Sequence, residues 1–156
     1  MTQDEYVQNL SKDLDLLERS LAWLQRSFQI CTAFGRTEVF SPEEYDAVET
    51  LTSRYARTSD ILIQKIFRSI DKVELEDGGT MIDAVNRADK RGLFESVDLI
   101  REIRDLRNKI AHEYSKEDQE KLFVDVLRLT PRLFGIADGI FAYCARYGIK
   151  RPRHPA

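Results

Sequence analysis

The chain has 156 residues, of which 42% are hydrophobic and 33% charged, and its formal net charge is −3. That length suits one domain with a substantial core, and the composition excludes an intrinsically disordered chain. The negative net charge excludes nucleic-acid binding through overall basicity, so any such binding must use a local patch. No run of apolar residues is long enough to span a membrane, and the acidic N-terminus is unlike a signal peptide. We therefore expect a cytoplasmic protein without membrane contact.

The cysteines and histidines indicate neither a disulfide framework nor a metal site. Cys31 and Cys144 each lie within an apolar helical pattern, as small core residues do in a reducing compartment. The two histidines, His112 and His154, are far from each other and from both cysteines in sequence. No spacing typical of metal ligands results, and the sequence predicts no metal and no cofactor.

The first predicted helix runs from about Gln3 to Ala33, with Gly35 as its C-cap. Its apolar residues are spaced three and four apart: Val7, Leu10, Leu14, Leu17, Leu21, Leu24, Phe28 and Cys31. This period of about 3.5 is typical of near-parallel helix packing. A two-stranded coiled coil is the alternative interpretation. Because Leu16 and Trp23 widen the apolar stripe and further helices follow, we favour a bundle.

The second predicted helix begins at a clear start signal and runs to about Lys72. Ser41 is the expected N-cap, Pro42 the first helical residue, and Glu44 is placed to complete a capping box. After the Asp77–Gly79 break, Thr80 is predicted to cap a short helix through about Asp89.

Two further long helices complete the predicted fold. The third runs from about Phe94 to Tyr114, and Ser115 is the expected cap of the fourth, which continues in phase through Pro131 towards Gly148. The sequence thus predicts an all-α, up-and-down bundle of four main helices plus one short helix. Residues 1–149 would form the single domain, and residues 150–156 a basic tail that either binds RNA phosphates or is mobile.

The third helix carries the candidate functional residues. Leu99, Ile103, Leu106 and Ile110 form one apolar stripe on it. With Leu99 at zero and about 100° per residue, a second, polar arc carries the following residues. They are Arg107 at about 80°, Ala111 at 120°, Arg104 at 140°, Asn108 at 180° and His112 at 220°.

Arg107 and His112 are separated by about 140° on this ideal helix, too far to grip one small group together. A two-fold homodimer could bring the arginine of one copy to the histidine of the other, with small Ala111 allowing the close approach. The plainer interpretation is a solvated helix face whose histidine only complements the C-terminal helix dipole.

The stretch Arg107-Asn108-x2-Ala111-His112-x-Tyr114 resembles the R-x4-6-H signature of the HEPN superfamily. Its R-x4-H-x-Y form resembles HepT-type toxins in particular. Those proteins are small, helical, dimeric ribonucleases paired with a nucleotidyltransferase antitoxin of the MNT type. The match covers eight residues, and the all-helical pattern around them adds to its specificity.

The resemblance implies a chemistry that the residues can carry. Histidine changes protonation near neutral pH, so His112 could take the proton from an RNA 2′-hydroxyl without a metal. Arg107 would stabilise the charge of the phosphorane transition state. Asn108 would orient His112 or hold a phosphate oxygen, and Arg104 would hold the RNA backbone. The RNA could be tRNA or mRNA.

The resemblance also implies that Tyr114 is a modification site. In HepT-type systems the partner nucleotidyltransferase transfers AMP to this tyrosine and silences the toxin. A bulky anionic group beside the arginine would repel RNA. The plain alternative is that Tyr114 only closes the apolar stripe. The alternative function is a non-catalytic HEPN module that binds a nucleotidyltransferase and its nucleotide or substrate.

Overall fold

The structure, a computed structural model, describes residues 1–36, 40–76, 78–112 and 116–153. Within these ranges every regular element is a helix and no strand occurs, which confirms the all-α prediction. The elements are, in chain order, α1 (Gln3–Thr32), α2 (Pro42–Asp60), a π-helical segment (Ile61–Ile66), α3 (Phe67–Val73), α4 (Met81–Lys90), α5 (Val97–Ile110), α6 (Lys116–Cys144) and a 3-10 turn (Ala145–Tyr147).

The helices form the predicted bundle of four main helices plus one short helix. α2, the π-helical segment and α3 follow one another without a break and together make the second main helix. It packs antiparallel to α1, because Thr58 meets Ser20 whereas the later Ser69 meets the earlier Asp13. α5 and α6 pack against α2 and against each other, and α4 bridges α3 and α5.

Two helix starts that the sequence predicts, at Ser41 and Thr80, are confirmed by reciprocal caps, whereas the predicted cap Ser115 lies outside the described residues. The Ser41 hydroxyl accepts a hydrogen bond from the Glu44 backbone N–H at 3.2 Å, and the Glu44 carboxylate accepts one from the Ser41 N–H at 3.0 Å. Thr80 and Asp83 form the same box at the start of α4. Each box satisfies donors that the first helical turn leaves unpaired.

The core lies between α1, the second main helix, α5 and α6. Tyr55 of α2 is fully buried and donates its hydroxyl hydrogen to the Ile103 carbonyl of α5 at 3.1 Å. Cys31 and Cys144 are buried, and burial raises the pKa of their thiols to about 11 and about 12. Both cysteines therefore act as core residues, as the sequence predicts.

Three arginine–carboxylate contacts link the end of α3 to α4 and to the residue that follows α4. Arg91 reaches Asp71 at 2.6 Å and Glu74 at 2.9 Å, and Arg87 reaches the other Asp71 oxygen at 2.9 Å. The side chains of Asp71 and Arg91 are only 1% and 6% exposed. We call Asp71, Glu74, Arg87 and Arg91 the Asp71 cluster.

Two predictions about α1 and α5 need correction. α5 is shorter at both ends than predicted, because Ser96 caps it at Val97 and its last turn closes at Ile110. Trp23 does not widen the buried stripe of α1, since its side chain is 56% exposed.

The last helix and its end follow the predicted course, whereas Arg151 of the predicted tail is held by two acids of the bundle. α6 passes through Pro131 as one helix, and Gly148 ends the 3-10 turn with a φ of 79°, a conformation that favours glycine. In the tail, Arg151 contacts Glu18 of α1 at 2.7 Å and Asp138 of α6 at 2.6 Å. Across the described parts of the chain, no helix is both long and apolar enough to cross a membrane.

Candidate functional site

Arg107 is held by a two-point ion pair with Asp60, the last residue of α2. Its Nε lies 2.8 Å from Asp60 Oδ1, and its Nη2 lies 2.9 Å from Oδ2. The hydrogen bonds and the charge of Asp60 raise the pKa of Arg107. The side chains are 34% and 35% exposed, so the pair lies at the surface while the fork geometry fixes the plane of the guanidinium.

The direction of Arg107 follows from a wider apolar face on α5 than the sequence indicates. Ile100, which the four-residue stripe omits, is buried. Because Ile100 and Arg107 are seven residues apart, they lie on nearly the same line of the helix. Arg107 therefore turns towards α2 and is not part of an open polar arc, which corrects the predicted placement of this side chain.

Arg104 and Asn108 join Arg107 along one small cleft between α5 and the second main helix. On the opposite wall the cleft is lined by Ser59, Asp60, Ile63 and Gln64. Its volume is about 20 Å³, close to what one water molecule needs. The cleft is therefore a shallow polar surface, and a phosphate group could contact these side chains only from the solvent side.

His112 lies beyond the end of α5. Its backbone N–H donates to the Lys109 carbonyl at 3.2 Å, an i to i−3 bond typical of a tightened last turn. The residue is exposed and borders a separate concavity of about 420 Å³ between α2 and α6. The other residues lining that concavity are Phe40, Tyr45, Val48, Glu49, Thr52, Ile110, Gln119 and Leu122.

The structure thus divides the predicted site into two parts. Arg104, Arg107 and Asn108 share one cleft, whereas His112 borders another concavity. The divergence inferred from helix geometry is retained, although His112 follows the helix and is not part of it. Tyr114 lies outside the described residues. In the described ranges, no group of three or more His, Cys, Asp or Glu side chains could hold a metal ion.

Asp60 is the contributor to the site that the sequence pattern does not reveal. It falls between buried Ser59 and the apolar run that begins at Ile61. The sequence shows only that Asp60 lies close to the apolar face of one helix and Arg107 next to the apolar face of another. It identifies Asp60 as the partner of Arg107 only when the packing of these two helices is already known.

Comparison of the chain with models of protein families, with curated proteins and with solved structures gave no match. The resemblance to the HEPN superfamily therefore depends on the arginine, asparagine, histidine and tyrosine of α5 and the residues after it.

Proposed function

We propose that the protein is a metal-independent endoribonuclease toxin of a toxin–antitoxin pair, with each active site completed by two copies of the chain. The observation that carries this proposal is the surface arrangement of Arg107, fixed by Asp60 and flanked by Arg104 and Asn108. Charged and amide donors on one rigid helix face suit a phosphodiester. His112 borders a different concavity, so a second copy would have to supply it.

Arg107 retains enough donors to bind a phosphate while it stays paired with Asp60. A guanidinium has five N–H donors, and Asp60 accepts two of them, which leaves three. Those on Nη1 and the second on Nη2 can point to phosphate oxygens. Asp60 then acts as a positioning residue, because it fixes the guanidinium before the substrate arrives.

The proposed reaction is a transesterification followed by release of the 5′-hydroxyl strand. His112 removes the proton of the 2′-hydroxyl, the 2′-oxygen bonds to the neighbouring phosphorus, and the bond from phosphorus to the 5′-oxygen breaks. The leaving oxygen takes a proton, and the other strand ends in a 2′,3′-cyclic phosphate. Arg107 donates hydrogen bonds to the phosphoryl oxygens as their negative charge grows.

A cleavage assay on the purified protein tests the activity and its independence of metal. Single-stranded RNA should be cut in buffer with excess chelator, and His112→Ala should remove the activity because the 2′-hydroxyl loses its base. Glu117→Ala, a change at an exposed residue of α6, serves as the control and should cleave like the wild type. A wild type that cuts no RNA at any salt concentration or pH would end the ribonuclease proposal.

Mixing two inactive variants tests the two-copy site directly. A dimer of one Arg107→Ala copy and one His112→Ala copy has one site with both residues intact. If random exchange makes half of the dimers mixed, about a quarter of the wild-type activity should return. Activity that stays absent after exchange, with mixed dimers verified by mass, would place Arg107 and His112 of the same copy in one site.

The proposed silencing step is AMP transfer to Tyr114 by an MNT-type nucleotidyltransferase partner. The tyrosyl oxygen attacks the α-phosphorus of ATP, pyrophosphate leaves, and the hydroxyl proton passes to solvent. Tyr114→Phe should keep cleaving RNA and should resist inactivation by a cognate transferase with ATP. Mass spectrometry should show the added AMP on the wild type alone. Modification of the variant would assign the acceptor to another residue.

One observation favours a second candidate, the non-catalytic module that binds a nucleotidyltransferase and its nucleotide or substrate. His112 and Arg107 border different concavities, so one copy does not join a general base to the arginine, and binding without cleavage needs no such base. The Asp60 carboxylate beside Arg107 would lower the affinity of such a site for a phosphate. In a binding module, nucleotide affinity would be measurable by calorimetry while every RNA stayed intact. The same calorimetry with Asp60→Asn should then show tighter nucleotide binding.

A further inference from the structure

The exposed Trp23 on α1 is the only tryptophan of the chain and lies outside the candidate site. The guanidinium of Arg54, from α2, lies 4.9 Å from the centre of its ring. Arg54 is itself fixed, because it donates to the Trp23 carbonyl at 3.1 Å and to the Ser27 hydroxyl at 2.7 Å. The ring and the cation therefore form a preorganised pair, and Trp23 as a residue is still 56% exposed.

This pair lies within a local concentration of arginines that lack acidic partners. Among the described residues, no carboxylate comes within 4.0 Å of the side-chain nitrogens of Arg19, Arg26, Arg54 or Arg57. By contrast, the arginines elsewhere in the bundle that pair with acids include Arg87, Arg91, Arg107, Arg128, Arg132 and Arg151. A patch of uncompensated positive charge thus exists on a chain of net charge −3.

Helix geometry connects this patch to the candidate site. Arg57 and Arg54 precede Asp60 by three and six residues, which is about 4.5 and 9 Å along the axis of α2. They are rotated from Asp60 by about 60° and 120° in the same sense. Arg57 is exposed and lies between Asp60, which faces α5, and Arg54, which faces α1. Within the described residues, arginines without a carboxylate partner therefore extend over α2 from beside the Arg107–Asp60 pair to Trp23.

The patch continues on the far side of Trp23. Arg19 and Arg26 are four residues before it and three residues after it, so they flank the ring on α1. Together with Trp23 they line an open groove of about 1030 Å³ between α1 and α6, which is bounded on the α6 side by Phe134 and by Asp138, whose charge is paired with Arg151. We call Arg19, Trp23, Arg26, Arg54 and Arg57 the Trp23 surface.

We propose that the Trp23 surface binds single-stranded RNA that extends from the candidate active site, with one base stacked on Trp23. The inference deepens the proposed function and rests on it for the position of the cleaved phosphate. Backbone phosphates would contact Arg57 and Arg54, because arginines without carboxylate partners keep their donors available. An exposed aromatic ring among such arginines is the arrangement that proteins use to bind single strands with little sequence preference.

Tryptophan fluorescence tests this surface without a label, because Trp23 is the only source of indole emission. The probe is a 2′-O-methyl oligouridylate of 12 nucleotides, which lacks the attacking hydroxyl and cannot be cleaved by the proposed reaction. Titration at low salt should quench the emission to a plateau, and added salt should reverse the quenching. Binding seen by anisotropy of a dye-labelled probe without any quenching would place the RNA elsewhere and overturn the proposal.

Variants measured by anisotropy separate stacking from charge. Trp23→Ala should weaken binding about 5- to 150-fold, the range found for single stacked bases. Arg57→Gln should weaken it and lower the slope of log affinity against log salt by about 0.7. The matched control is Arg101→Gln, which removes one charge from an exposed, paired arginine of α5 and should leave both quantities unchanged. Equal losses in Arg57→Gln and Arg101→Gln would overturn the proposal.

The outcomes distinguish failure of this inference from failure of the proposed function. Cleavage that requires His112, together with unchanged affinity in Trp23→Ala, would retain the ribonuclease and reject the Trp23 surface. Saturable quenching without cleavage would retain the surface and reject the ribonuclease. Sedimentation of Trp23→Ala should give the wild-type mass. A change from dimer to monomer would instead assign Trp23 to a contact between two copies of the chain.

Discussion

The Asp71 cluster and the Arg107–Asp60 pair use the same chemistry in two different environments. In the cluster, Asp71 and Arg91 are almost entirely excluded from solvent. In the pair, both side chains are about one-third exposed. Both arginines make charge-assisted hydrogen bonds of 2.6 to 2.9 Å to carboxylates. The contacts are therefore alike, and the access of water differs.

That difference assigns the two groups separate roles. Within the cluster, each charge is stabilised by its oppositely charged neighbours, because an unpaired ion in a buried site is strongly unfavourable. At the surface pair, water can solvate whichever partner remains, so the pair contributes little to stability. An exposed, oriented guanidinium is available to a ligand, and a buried one is not. Variants at the two places should therefore affect different measurements.

The largest stability effect should come from Asp71→Asn. The change keeps the shape of the side chain but removes the charge that pairs with Arg87, and it leaves the buried Arg91 with Glu74, at 2.9 Å, as its nearest remaining carboxylate among the residues that the structure describes. Breaking a buried pair in this way typically costs about 3–5 kcal/mol, so the melting temperature should fall by at least about 6 °C. Scanning calorimetry measures this fall. Asp98→Asn, which breaks an exposed pair with Arg101, is the control and should melt within about 2 °C of the wild type.

Arg107→Ala should have effects opposite to those of Asp71→Asn, namely a large loss of RNA cleavage and little loss of stability. RNA cleavage should fall by about 100- to 1,000-fold, the typical cost of losing one oriented donor to developing charge. The free energy of unfolding should change by no more than about 1 kcal/mol, because the broken pair is at the surface. Initial cleavage rates and urea unfolding give the two numbers. A large loss of stability with unchanged specific activity would make the two regions alike and contradict the comparison.

Asp60→Asn sharpens the comparison, because it affects the orientation and the charge of the site in different ways. The amide holds the guanidinium less firmly, so the cleavage rate should fall by about tenfold, a free-energy difference of about 1.4 kcal/mol. The lost negative charge should at the same time tighten RNA binding. Single-turnover rates and anisotropy with the uncleavable oligonucleotide measure the two effects. If neither quantity moves, Asp60 has no positioning role for Arg107.

The pH dependence of the Asp71 cluster gives the smallest expected effect. Burial opposes ionisation of Glu74, but hydrogen bonds from Tyr143, Tyr147 and Arg91 outweigh it and lower the pKa of Glu74 below 4.5. Its stabilising contribution is therefore complete above the pKa of the unfolded chain, about 4.3, and is lost as pH falls through the lowered folded value.

Glu74→Gln tests this dependence. The stability difference between wild type and variant should be larger at pH 7 than at pH 3, because only the wild type loses an ionised carboxylate on acidification. Thermal unfolding at the two pH values provides the comparison. Glu76→Gln, an exposed acid near the same arginine, should show little pH dependence. A difference between wild type and Glu74→Gln that is constant with pH would mean that the hydrogen-bonded carboxylate is not what stabilises the fold.

Local signals in the sequence were sufficient for most of the fold. The predicted caps at Ser41 and Thr80 are confirmed because each depends on side chains only three residues apart. The apolar spacing along α1 and α6 likewise predicts the buried faces of the bundle. Exposure of Trp23 is not predictable in this way, because it depends on how closely α2 and α6 approach that part of α1.

The sequence identifies the candidate residues of the site, but it does not predict which side chains they contact in the fold. The motif spacing identifies Arg107, Asn108 and His112, yet the pairing of Arg107 with Asp60 requires the packing of two helices 47 residues apart in sequence. The burial of Ile100 decides this packing, and the stripe of four apolar residues omits it. Helix geometry already predicts that His112 diverges from Arg107, and the end of α5 at Ile110, which the sequence pattern does not reveal, places His112 beyond the helix.

The π-helical segment Ile61–Ile66 changes the direction in which side chains project from the second main helix, so that α2 and α3 are out of phase with each other. A π turn accommodates one more residue than an α turn, and such segments are usually local insertions. The face of α2 that carries Asp60 is therefore offset from the face of α3 that carries Asp71. In an uninterrupted α-helix, Asp60 and Asp71, eleven residues apart, would lie within about 20° of one line, so the extra residue of the π turn is what separates their directions. The insertion thus lets one continuous helix present Asp60 to Arg107 of α5 and Asp71 to Arg87 of α4.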